Sequence, residues 1–250
     1  MTGAVVLAGS LNDGLLRECS PVSYEALIPI GSRMMVEYVC DALLASAYVE
    51  EVVVVGPEEQ LSTIFSRGRI RVAPAGKTVL ENVQIGIKAL SANRRVLVVT
   101  SDIPLITAEA IDDFIKQGQD QTVDFYYPIV ARSVVESRFP GVKRTYISLK
   151  EGIFTGGNLF LVNPDIFLYC LFKGEQLVKA RKNPWQLARL VGIPFFVKFL
   201  AYRLSLKEAQ AKVSKLLGIK GVAVISHYPE VGFDIDKPND LELAMKILCT

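Results

Sequence analysis

Along the first hundred residues, short unbroken apolar runs alternate with stretches in which apolar positions recur every three or four residues. Ala4–Ala8, Glu51–Gly56 and Val96–Thr100 are of the first kind and rich in valine. A continuous apolar run, rather than an alternating one, is the mark of a strand buried on both faces, as in the middle of a parallel sheet. Ile70–Ala73 reads as a shorter strand between the second and third of these. The second kind predicts helices. Met34–Ser46, capped by Ser32, places Met35, Val39, Ala42 and Leu43 on one face, and Thr78–Leu90 does the same with Val79, Val83, Ile87 and Leu90. A further helix begins near Ala108, with Thr107 as its cap and Glu109 and Asp112 in its first turns. Strand and helix in regular alternation predict an α/β fold: a mostly parallel sheet with helices on both faces.

After about residue 120 the rhythm changes. Val123–Ala131, Arg144–Leu149 and Leu159–Val162 read as strands close together in sequence, the last entered through Thr155-Gly156-Gly157-Asn158. Asn163-Pro164 and Asn183-Pro184 each pair a capping residue with a proline suited to the first helical position. From Trp185 to Leu217 the pattern is helical, broken at Gly192-Ile193-Pro194. Within it, Val191–Leu206 is strongly apolar yet carries Lys198 and Arg203. It reads first as a core or dimer helix and second as a helix lying on a membrane surface. Gly221–Ser226 is a return strand, and Leu241–Leu248 a last helix. The organisation expected is one domain: a first half, 1–120, an inserted segment, 121–220, and a returning strand and helix, 221–250.

Composition narrows the class. The chain has 250 residues, half of them hydrophobic and 22% charged, as globular domains do. No charge-free apolar run reaches the roughly 18 residues a bilayer span needs. No basic stretch precedes the first strand as a signal peptide would require. Four scattered cysteines form no CxxC pair, and the single histidine, His227, argues against histidine-based catalysis. A reducing cytoplasm is the setting expected. Charge is unevenly spread: Arg132–Lys220 holds 16 Lys and Arg against 5 Asp and Glu, the remainder 12 against 21. A basic segment beside an acidic one suits an anionic substrate and a metal ion. The clustered basic runs of nucleic-acid binders are lacking, so no nucleic-acid partner is expected.

Candidate chemistry gathers where strands end. Ser101-Asp102-Ile103-Pro104 follows the buried run Val96–Thr100, and open α/β sheets bind ligands at the carboxyl ends of such strands. A turn-forming role for Asp102 is the plain alternative. Gly9-Ser10-Leu11-Asn12-Asp13-Gly14 follows the first strand, where backbone N–H groups can approach a phosphate; an ordinary strand-to-helix turn accounts for it equally. Near the end stands Asp234-Ile235-Asp236-Lys237-Pro238-Asn239-Asp240, whose first two carboxylates share a side if the segment is extended. Capping of the last helix is the other use of Asp236.

Taken in order, Leu7-Ala8-Gly9, Ser101-Asp102-Ile103-Pro104-Leu105 and Asp234-x-Asp236-x-Pro238-x-Asp240 resemble the MobA-like nucleotidyltransferases, within the wider sugar-phosphate and alditol-phosphate nucleotidyltransferase group. The resemblance implies a Rossmann-like sheet with an inserted acceptor-binding lobe. It implies transfer of a nucleotidyl group from an NTP to a small phosphorylated or hydroxyl acceptor, with release of pyrophosphate. Mg²⁺ would be held by Asp102 with Asp234 or Asp236, oxygen ligands of the kind this ion prefers. The nucleotide would meet Leu7, Ala8, Gly9, Ser10, Gly14, Ser101 and, around the base and ribose, Gly76, Thr78 and Asn82. The acceptor would meet Gly156, Gly157, Asn158, Lys143 and Arg144, with Lys150, Arg181 and Lys182 as further cations.

The chain departs from the group's pattern in two places. Ser10 stands at the second glycine, and Glu25 stands where the group carries a lysine; no lysine precedes Lys77. The cation facing the phosphates would then be Arg17, Lys77 or Arg33, with the first two the stronger candidates, since a carboxylate repels phosphate. Two other classes compete. A nucleotide-sugar-dependent glycosyltransferase would show an Asp-x-Asp after the central strand, where this chain has one carboxylate. A nucleotide-binding protein without catalysis would tolerate Glu25 and Ser10.

Overall fold

The computed structural model describes residues 2–65, 68–91, 95–166, 189 and 192–249. The strands are β1 (Thr2–Leu7), β2 (Pro29–Ile30), β3 (Arg33–Met34), β4 (Val49–Gly56), β5 (Ile70–Pro74), β6 (Val96–Thr100), β7 (Phe125–Ala131), β8 (Ile147–Leu149), β9 (Gly152–Gly156), β10 (Leu159–Val162) and β11 (Gly221–Ser226). The helices among them begin with α1 (Met35–Ala45), α2 (Glu58–Ile64), α3 (Val79–Ala89), α4 (Ala108–Gln117) and α5 (Arg132–Arg138). Ile193–Leu200, Leu206–Leu217 and Pro238–Leu248 are helical later in the chain.

Nine strands form one sheet in the order β5-β4-β1-β6-β10-β7-β9-β8, with β11 paired to β7. The pairs β5–β4, β4–β1, β1–β6 and β7–β11 are parallel, whereas β10 runs antiparallel to both β6 and β7. The half expected to be parallel is so, and the strands after residue 120 continue the same sheet. Alternate residues of each central strand enter different cores. Ala4, Val6, Leu97 and Val99 pack with α1, α4 and the final helix, while Val5, Val96 and Val98 pack with α3. Burial on both faces is why these strands lack alternation.

Several local expectations need correction. Ser32 does not cap α1. Gly31, at φ +63°, turns β2 into β3 instead, and the cap position passes to Met34, whose N–H donates to Glu37 Oε2 at 2.6 Å. Val79 opens α3 but points to solvent; Asn82, Val83 and Gly86 form the buried face. Val123 belongs to a turn closed by its N–H to Asp120 O, so β7 starts at Phe125. The apolar segment is not a core helix. Its helical part ends at Leu200, before Tyr202 takes a left-handed φ of 54°, and it leaves Val197 and Leu200 more than half exposed. Val191 and the whole of Asn183-Pro184, with Arg181 and Lys182, lie outside the described residues. Asn163 does start a helical turn at residues 164–166, its Oδ1 accepting from Asp165 N.

Candidate active site

The sheet's topology brings four loops to one edge. β1, β6 and β7 all end there, and β10 begins there, because β10 runs against β6. The first loop is held flat by pairing. Ser10 O accepts from Glu25 N, and Asn12 N donates to Ser23 O. Asn12 is fully buried and its Nδ2 donates to the carbonyls of Ser20 and Val22 at 2.9 and 3.0 Å, which fastens the loop to the chain that follows it. Sequence patterns alone did not single out Asn12; a buried asparagine in a loop has no period to betray it. Since Asn12 N is already paired, this N–H is not among those free to meet a phosphate, contrary to expectation for the loop as a whole.

Gly9 is required by a close approach. A Cβ there would lie 2.9 Å from Asn82 Nδ2 and 3.1 Å from Ala75 Cβ. Asn82 Oδ1 in turn accepts from Gly76 N at 2.7 Å, so this buried side chain ties the Ala75–Thr78 loop beneath Gly9. Thr78 caps α3 through Glu81 N, and Lys77 is exposed on the same loop. Gly9, Gly76 and Asn82 are thereby brought together, with Thr78 on the same loop. Gly14 does not share this need: a Cβ there would meet nothing within 4 Å. Arg17 is exposed and folds back on the loop, donating to Asn12 O at 3.2 Å.

Asp102 stands past the end of β6, and the return segment is stitched to it. Ser101 N donates to Leu7 O, and Ile235 N donates to Asp102 O at 2.9 Å. Ile235 is buried, so its neighbours Asp234 and Asp236 both turn toward Asp102. One carboxylate oxygen from each of the three lies within 4.8 Å of the others. Asp236 does not cap the last helix; Lys237 holds that position, and Asp240 Oδ2 accepts from Asp236 N.

The electrostatics follow from this crowding. Burial first, then the charge of Asp234, pushes the Asp102 carboxyl up to about 7, and burial with Asp234 raises Asp236 to about 6. Glu25 is half-buried and faces the same group: its pKa is raised by burial and then by Asp236, Asp13 and Asp234. Asp102 Oδ1 is buried with no hydrogen-bond partner, an expensive state that a bound cation would relieve. An all-oxygen donor set with an orphaned carboxylate oxygen fits a hard divalent ion.

Arg144 is not directed at an acceptor. Its buried guanidinium pairs with Asp234 Oδ1 at 3.0 Å and Asp240 Oδ2 at 3.8 Å, donates to the Asp234 carbonyl, and lies 4.6 Å from the Phe233 ring. It aligns Asp234 rather than reading a phosphate. Lys143 remains exposed beside it. The segment Gly156-Gly157-Asn158 is a bulge within one long strand. Gly156 faces Ile129 and Leu161 faces Tyr126, so five steps on one strand match three on the other. A Cβ on Gly156 would overlap the Tyr127 hydroxyl, and one on Gly157 would lie 2.7 Å from Pro128 and Val231. Asn158 O accepts from Thr100 N at 3.0 Å, which sets the bulge against Asp102's strand.

The mostly parallel α/β sheet flanked by helices is a fold shared with solved nucleotidyltransferases. Residues 4–167 match the MobA-like NTP transferase domain, and the chain belongs to that family. A hypothetical transferase from Thermus thermophilus is 38% identical, with 96% of this chain and 99% of that one covered and a TM-score of 0.85. The same fold is found at low identity in two further solved structures. CMP:2-keto-3-deoxy-manno-octonic acid synthetase complexed with CTP is 12% identical, with coverage of 99% and 98% and a TM-score of 0.61. The 4-diphosphocytidyl-2C-methyl-D-erythritol synthase of Anaerococcus prevotii is 13% identical, with coverage of 100% and 96% and a TM-score of 0.60. No curated protein sequence matches the chain.

Proposed function

We propose that this protein is a Mg²⁺-dependent nucleotidyltransferase that moves an NMP group from an NTP to a phosphorylated or hydroxyl acceptor and releases pyrophosphate. The convergence of Asp102, Asp234 and Asp236 beside the Gly9 loop is the observation that carries this reading. These three side chains would hold Mg²⁺, which when bound neutralises charge on the phosphate oxygens. The Gly9 loop and the Gly76–Asn82 pair, packed together, would meet the nucleotide. Gly156–Asn158 and Lys143 would face the acceptor. Arg17 and Lys77 are the cations available to the triphosphate, since Glu25 adds negative charge where a lysine would have removed it. The setting expected is the cytoplasm, which suits the free thiols of Cys19, Cys40 and Cys249.

Incubation with each NTP, Mg²⁺ and a panel of phosphorylated acceptors should release pyrophosphate, and Asp102→Asn should reduce the rate by at least a hundredfold, on the order of other losses of charge stabilisation. Glu25 favours one rival, a nucleotide-binding protein without catalysis. Tight NTP binding with no pyrophosphate from any acceptor would establish that rival instead.

A further inference from the structure

The sheet face made by β7, β8, β9 and β11 is roofed by the helices Ile193–Leu200 and Leu206–Leu217, but they do not fill the space against it. Among the described residues a half-open pocket of about 450 Å³ remains. Phe125, Ile129 and Phe154 line it from the sheet, and Phe195, Phe199 and Val213 from the helices, with very little polar surface. Protein interiors normally pack to the density of organic crystals. An engineered cavity of ~150 Å³ is already enough to take up benzene, and pockets for organic ligands run from about 300 to 1,000 Å³. The void is therefore of ligand size, and its lining suits a hydrocarbon.

Its position says which ligand. Thr155 and Gly156 line one end, so the cavity meets the bulge that abuts Thr100 and the strand leading to Asp102. Tyr127 stands at this junction, its ring stacked 5.6 Å from that of Phe160 and its hydroxyl at the Gly156 backbone. Apolar surface also continues outward, since the roofing helix exposes Val197 and Leu200. A nucleoside triphosphate has no part to place in such a space. The acceptor does.

We propose that the acceptor is an amphiphile: a phosphate or hydroxyl head at Gly156–Asn158 and an alkyl or isoprenoid chain, on the order of ten carbons, in the cavity. This rests on the transferase reading for the head group's fate, but the chain-binding site stands on its own geometry.

Alkyl phosphates from butyl to dodecyl, kept below micelle formation, are the probes. Calorimetric titration of the full chain should show Kd falling about fourfold per added methylene until the cavity is full, the value expected for burying one CH₂. Ala209→Trp and Ala223→Trp, which fill the cavity from the helix and from the sheet, should each weaken dodecyl phosphate at least tenfold and leave butyl phosphate and NTP binding unchanged. Equal Kd values for butyl and dodecyl phosphate in the unaltered chain would overturn the proposal, as would undiminished dodecyl binding in both folded variants. The two readings fail separately. Pyrophosphate released with the same kcat/KM from both chain lengths keeps the transferase and removes the amphiphile site. A steep chain-length dependence of binding with no pyrophosphate from any acceptor keeps the site and removes the transferase.

Discussion

Asp102 is held in place against its own electrostatics. Burial and Asp234 raise its pKa to about 7, so above that pH the folded chain carries an ionised carboxylate facing another. The sign follows from linkage. In the unfolded chain an aspartate titrates near 3.9, so between about pH 4 and 7 the folded state binds the extra proton, and stability falls as pH rises through that window. Asp102→Asn removes the charge while keeping the shape. Without metal and at pH 8, the variant should be more stable than the unaltered chain by at least about 1 kcal/mol, the equivalent of one pKa unit, and the gap should close as pH is lowered toward 4. Urea denaturation across that range, in the presence of a chelator, measures it. A variant less stable at pH 8 would mean that the carboxylate's hydrogen bond with the Thr100 side chain outweighs the repulsion. Asp102 was legible in the sequence because it follows an unmistakable buried strand. Arg144 was not: its charge is visible, but its partners Asp234 and Asp240 come from a segment far along the chain that only the closed fold brings to it.

Between elements, packing decides what propensity does not. Gly86 sits in the middle of α3, where glycine costs roughly 1 kcal/mol relative to alanine. The reason is the approach of α3 to β1: a Cβ at Gly86 would lie 2.2 Å from Val5 Cγ1. Gly86→Ala should therefore destabilise the protein by ~1–3 kcal/mol despite improving the helix, and Val5→Ala in the same chain should recover part of the loss. Thermal unfolding of both single variants and the double variant gives the coupling; strict additivity would show that the two residues do not collide. This contact explains what the sequence could and could not disclose about the elements. Strands β1, β4 and β6 announce themselves because burial on both faces leaves a continuous apolar run. Val79, assigned to the buried face of α3 by its spacing, is exposed, because at the first helical position the chain has not yet come down onto the sheet. The β9–β10 bulge is hidden from the sequence for a related reason. Two glycines signal a departure from regular strand, but only the register against β7 distinguishes a bulge from a reversal.

For the whole molecule, the consequence is that a bound cation would join the central strand to the segment before the final helix. Asp102 follows the central strand, whereas Asp234 and Asp236 precede the final helix, which packs with Ile28 and Ile30 near the chain's start. The unfolded chain offers Asp102 far from the Asp234–Asp236 pair, so a divalent ion would bind the folded state in preference and stabilise it by mass action. At a hundred times its Kd, that amounts to about 2.7 kcal/mol. For a domain of this size one kcal/mol moves the midpoint by about 2–4 °C, so saturating Mg²⁺ at pH 8 should raise Tm by roughly 5–10 °C. Plain screening of the facing carboxylates would also raise Tm, and the two are separable. Screening depends on ionic strength and is matched by NaCl at equal strength. Binding would saturate with Mg²⁺ and be lost in Asp234→Asn, which leaves one carboxylate fewer to hold the ion. A midpoint that follows ionic strength alone in both proteins would remove the metal from this site, and with it the strongest link between this fold and phosphoryl chemistry.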